Sequence, residues 1–208
     1  MNKAKLIATS GICAAVCVGC LALASFVKWT ALVAAAIATV ACALPTLIDA
    51  RNWLYSTLIL LVSGVLGVFV GIANVVYVAP IATFCMPFGI VKAYGESIKV
   101  TASLGEPTVL EDPFGGEDKH TVAVNVEGRL CLPKVVKWIL YYVLLEVALG
   151  ITVAFAYLFT PDVFKTLAES NVLYWLLGAA QLVVIPYDLL TRGCFVATVK
   201  TMRKARLI

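Results

Sequence analysis

The sequence predicts an all-α polytopic membrane protein, a bundle of six transmembrane helices with a small cytoplasmic β-hairpin inserted between the fourth and the fifth. Three observations carry that expectation. Of the 208 residues 62% are apolar and 13% charged, far from the composition of soluble domains. The apolar residues fall in runs of about 20, the length that crosses a hydrocarbon core of roughly 30 Å. The cations are also sorted. With both termini cytoplasmic, all but Lys28 and Lys165 of the sixteen Lys and Arg residues lie inside, as expected where positive loops resist translocation.

The whole chain, 1–208, reads as a single membrane domain with spans at about 6–27, 29–48, 53–73, 76–91, 135–159 and 172–192. The first follows Lys3 and Lys5; because further apolar segments come at once, it is expected to stay as a span and not to be cleaved as a signal. The third contains GVLGVFVG, with Gly64, Gly67 and Gly71 at the spacing that lets helix backbones approach closely. The fourth is short and carries Pro80 and Pro87, so a broken or kinked helix is expected there. Residues 96–134 form the one sizeable polar piece. Pro113-Phe114-Gly115-Gly116 marks a turn, and Thr121 to Val126 alternates as a strand does, which together predict the hairpin. His120, the only His, reads as a solvated loop residue. Trp29, Trp53, Trp138, Tyr174 and Trp175 sit near span ends, where amphipathic rings are most comfortable. The localisation that follows is the cell's inner (cytoplasmic) membrane, multi-pass.

Several functions are excluded. The basic residues are scattered singly without interleaved aromatics, which argues against nucleic acid as a partner. There is no H-E-x-x-H, no G-x-S-x-G and no phosphate-cradling glycine loop, so neither an enzyme nor a bound cofactor is expected. Seven Cys are present, six of them inside apolar runs, where a thiol packs as a small hydrophobe. Cys17 and Cys20 form a C-x-x-C, but with no second pair and no His nearby the reading is packing, not metal.

Polar residues at membrane depth cost about 2.5–3.5 kcal/mol on insertion scales, so each calls for a role. Glu146 lies eleven residues into the fifth span, roughly 16 Å deep, and Gln181 about 14 Å from the outer end of the sixth. Consecutive antiparallel spans bring the two within hydrogen-bonding reach. They form either a polar spot in a ligand pocket, with Tyr142 one turn from Glu146 and Asn74 at the outer end of the third span, or a polar clasp between helices. Asp188 and Arg192 share one helix side at i,i+4 and are expected as a structural ion pair near the cytoplasmic edge.

Three stretches, IATFCMPFGIVKAYGESIK, LPKVVKWILYYVLLEVALGITVAFAYLF and the last helix with VVIPYDLLTR and its basic tail, resemble a family of small, largely uncharacterised bacterial membrane proteins. Those proteins in turn look like the substrate-binding S components of energy-coupling factor vitamin transporters. That resemblance implies a six-helix bundle that captures a vitamin or similar micronutrient from outside. The bundle would then dock on a transmembrane coupling subunit driven by ATPases, through a small-residue face on the first span that Ala4 and Ala8 match best. Two features depart from the pattern: the 39-residue cytoplasmic segment, and outer loops without a vitamin-binding motif. The alternative is a structural or assembly membrane protein without transport activity that docks a partner through residues 96–134.

Overall fold

The computed structural model describes residues 3–71, 74–95, 98–101, 121–124, 133–159 and 172–204, with single positions at 161, 165 and 169. Helix α1 runs over Lys3–Phe26, α2 over Ala31–Ile48 and α3 over Trp53–Gly71. The fourth span is α4, Val75–Pro80, a π turn over Ile81–Cys85, and α5, Met86–Gly95. Helix α6 covers Lys134–Phe159 and α7 covers Val172–Lys204. Among the described residues six helices are long and apolar enough to cross a membrane, as the runs of hydrophobicity predict.

Between the spans the joints are made by side chains that serve the backbone. Thr30 donates its hydroxyl to the Val27 carbonyl at 2.7 Å, closing the turn from α1 into α2. At the next corner Asp49 Oδ1 accepts the Arg51 N–H at 3.0 Å, an Asx-type turn that replaces the helical ladder. The π turn has a local cause. Pro87 has no N–H to offer the Thr83 carbonyl, and the ladder passes through a wider i→i+5 turn in which the Met86 N–H reaches Ile81 O. The fourth span therefore continues through its prolines as a helix and extends to Gly95, four residues past the expected boundary.

Helix α1 lies along both α2 and α3, and α2 in turn lies along α5. Small residues permit this closeness: a Cβ on Gly89 would stand 2.6 Å from Thr39 Cγ2 and 2.7 Å from the Thr39 carbonyl oxygen, and one on Gly67 would meet Leu21. Cys13, Cys17, Cys20 and Cys42 are all buried in this core. Among the described residues no group of three His, Cys, Asp or Glu side chains is placed to hold a metal.

Helix α6 is peripheral. Of its span 17% of residues are buried, against 56% for the fourth, and it leans on α4 and the π turn while touching α7 sparsely. Aromatic rings bridge the gap: the Phe88 ring of α5 lies tilted 4.4 Å from that of Tyr141 of α6 and edge-on 5.3 Å from that of Tyr187 of α7.

Of the 96–134 insertion two short strands are described. Strands β1, Ile98–Thr101, and β2, Thr121–Val124, pair antiparallel, with Ile98 opposite Val124. The described ladder is four residues a side, and an isolated two-stranded ladder is marginal in water. The predicted turn at 113–116 and His120 lie outside the described residues. The architecture is that of an all-helical bundle.

Candidate functional site

Two polar places are built into the apolar bundle. The first is on α6. Val135, Trp138, Ile139, Tyr142, Val143, Glu146 and Val147 line an open groove of about 630 Å³. Their spacing, at intervals of three and four residues, puts all of them on one helix face. Glu146 Oε1 accepts a hydrogen bond from Gln181 Nε2 of α7, so the two residues singled out by depth do meet across the α6–α7 boundary. Tyr142 shares the groove with Glu146, its ring 6.3 Å from that of Trp138. At one end Lys137 holds its ammonium 5.4 Å from the Trp138 ring and 5.6 Å from that of Tyr141, a cation–π arrangement.

Asn74 is not part of this place. Its amide donates to the Ser25 carbonyl at 2.9 Å, tying the start of the fourth span to the end of α1. Ala4 and Ala8 are both exposed on the first turns of α1.

The second place holds Asp188 with an unexpected partner. Lys92 of α5 is 1% exposed and its ammonium forms an ion pair with Asp188 Oδ1, while also donating to the Asp188 backbone carbonyl at 2.7 Å. The pairing of Asp188 with Arg192 is thereby corrected. Asp188 is buried and Arg192 exposed, and the counterion of the buried carboxylate comes from α5 instead of from its i,i+4 neighbour. Helix α7 also continues twelve residues past Arg192 to Lys204, which makes Asp188 its middle residue and not one near its end.

Around this pair the interior is hydrogen-bonded. Thr39 Oγ1 lies 2.7 Å from the Ala35 carbonyl, 3.1 Å from that of Cys85 and 2.5 Å from Tyr187 Oη. Thr39 has one hydroxyl proton and donates to one of these oxygens, while the Tyr187 hydroxyl can act as donor or acceptor toward it. Thr191 returns its hydroxyl to the Tyr187 carbonyl at 2.5 Å. The cluster ties α2, α5 and α7 together with its polar groups matched, as a membrane interior demands. Chemically it is a latch. The groove is different: aliphatic and aromatic faces line it, with Glu146 among the lining residues and Gln181 bonded to that carboxylate.

Sequence reasoning missed Lys92 because the fourth span seemed to stop at Val91, which placed the lysine in a loop. A signal was available: Lys92 sits in GIVKAYG, apolar on both sides, and a lone Asp in the last span requires a cation. Thr39 and Tyr187 had no such signal, since hydroxyls are cheap at any depth. No protein-family model matches the chain, and no curated protein or solved structure matches it either.

Proposed function

We propose that the chain is the membrane-embedded, small-molecule-binding subunit of a transporter, similar to the S components of energy-coupling factor systems. The observation that carries this reading is the groove on α6. A volume of about 630 Å³ falls in the range of drug-sized ligand sites, which are mostly apolar with a few placed polar groups. Here those groups are Glu146 and Tyr142, with Gln181 outside the lining and bonded to the Glu146 carboxylate. In this reading the chain sits in the inner membrane with both termini cytoplasmic, in accord with the sorting of Lys and Arg. It binds a vitamin or similar micronutrient and passes it to a transmembrane coupling subunit with ATPases. Docking falls to α1, where Ala4, Ala8, Gly11, Ala15 and Gly19 are all exposed and give a partner helix close access. Affinity purification of the tagged chain from cells that make such a coupling subunit tests it. Recovery of the subunit and its ATPases supports the proposal, and a monodisperse preparation that never brings them down sinks it.

The alternative, a structural protein docking a partner through residues 96–134, draws on the β1–β2 ladder. Strand β1 lies against α7, which gives that segment a fixed point on the bundle. Deleting residues 104–128 separates the readings: partner capture lost with ligand uptake intact favours docking, and partner capture retained excludes it.

A further inference from the structure

We propose that the α6 groove takes an apolar organic amine from the bilayer, its ammonium at Glu146 and its hydrocarbon body along Tyr142 and Trp138. This rests on the ligand-binding reading above and gives that site its ligand class.

The charge pattern selects the amine. A carboxylate is an acceptor with room for about four hydrogen bonds, and among the described residues Glu146 receives one, from the neutral amide of Gln181. No described cation forms an ion pair with it. An ammonium fills the remaining acceptor sites and supplies the countercharge, whereas a carboxylate ligand is repelled. Gln181, having donated through Nε2, keeps its amide oxygen as a second acceptor beside the first.

The shape selects the apolar body. Val135 to Val147 spans twelve residues, a trough about 18 Å long whose lining is almost entirely hydrocarbon and aromatic. Tyr142 is one turn from Glu146 and Trp138 one turn further, so an alkyl or aryl body that starts at the carboxylate runs over both rings. All lining residues belong to one helix face, which leaves the trough open along its side; access is from the lipid phase. Lys137 fixes the direction. Its ammonium sits over the Trp138 and Tyr141 rings, nine residues or about 14 Å from Glu146, and repels an amine bound the other way round.

The test uses the full chain in phosphatidylcholine nanodiscs with three radiolabelled probes of equal chain length: dodecylamine, dodecanol and dodecanoate. Dodecylamine is expected to bind saturably, one per chain, and at least tenfold more tightly than the other two. Glu146→Gln is expected to abolish that preference. Val143→Trp, a change at an exposed trough position one turn from the carboxylate, is expected to weaken amine binding at least tenfold. Equal binding of the three probes means unselective annular partition and overturns the proposal. So does an undiminished amine preference in a Glu146→Gln protein of native helical content. If Glu146→Gln does not fold, Val143→Trp decides alone, and amine binding unchanged in it overturns the assignment. Amine binding without recovery of a coupling subunit would sink the transport reading and leave this one standing; the reverse outcome would sink this one alone.

Discussion

Replacing Lys92 by Met removes the countercharge of Asp188 while nearly preserving side-chain volume. The magnitude follows from burial. Lys92 is 1% exposed and the Asp188 side chain 12%, so water does not screen what remains. Breaking a buried pair by removing one partner costs about 3–5 kcal/mol, roughly two to four decades in the unfolding equilibrium constant. The two halves are not equivalent. Lys92→Met leaves a carboxylate with no described donor, whereas Asp188→Leu leaves the ammonium still bonded to the Asp188 backbone carbonyl at 2.7 Å. The lysine substitution is therefore expected to cost more. The double variant Lys92→Met/Asp188→Leu removes both charges and is expected within about 1 kcal/mol of the parent, because a buried pair exchanged for apolar side chains is often near neutral. Equilibrium unfolding in mixed micelles, driven by SDS and followed by far-UV circular dichroism, measures all four proteins. Additive losses in the double variant, or single losses below about 1 kcal/mol, would refute the reasoning.

Further outcomes follow from close contacts elsewhere in the bundle. Gly89→Ala places a methyl 2.7 Å from the Thr39 backbone oxygen and is expected to destabilise by about 1–3 kcal/mol, as overpacking does. Gly150→Ala meets nothing within 4 Å and is expected to be neutral or stabilising by up to about 1 kcal/mol; paired thermal melts in detergent show whether the order holds. Tyr187→Phe deletes the hydroxyl 2.5 Å from Thr39 at an expected cost of about 0.5–1.5 kcal/mol, and in Thr39→Val that increment should shrink, since the partner is already gone. Ser56→Ala removes the oxygen that accepts from the Thr46 hydroxyl at 2.8 Å and from its N–H at 3.3 Å, and a loss of about 1 kcal/mol is expected; a melting point unchanged from the parent would show that water replaces it.

The spans were legible because hydrocarbon leaves a helix no alternative: runs of about 20 apolar residues name themselves, and α2, α3 and α6 begin and end within two residues of their predicted bounds. Depth counting along α6 and α7 was enough to bring Glu146 and Gln181 together, since consecutive antiparallel helices share a register set by the membrane. It failed at Asp188, whose partner lies on a helix 96 residues away. Nothing local announces such a contact. The i,i+4 neighbour Arg192 was the only visible cation, and choosing it mistook nearness in sequence for nearness in space. The fourth span was misjudged for a related reason: proline deletes one donor, but a π turn redistributes the ladder around it at little cost. The 96–134 segment reads as a hairpin from alternation and turn residues, yet alternation predicts pairing and not a folded module.

The Lys92–Asp188 latch also sets an order of events during synthesis. Each charge belongs to a helix that enters the bilayer separately, and 96 residues divide them. At translation rates of about 5–20 residues per second, the lysine of α5 is made roughly 5–20 s before the carboxylate of α7. For that interval the Lys92 ammonium is without the Asp188 carboxylate that meets it in the finished bundle. Arrival of α7 brings that carboxylate to the lysine, so closure of this part of the core waits on α7.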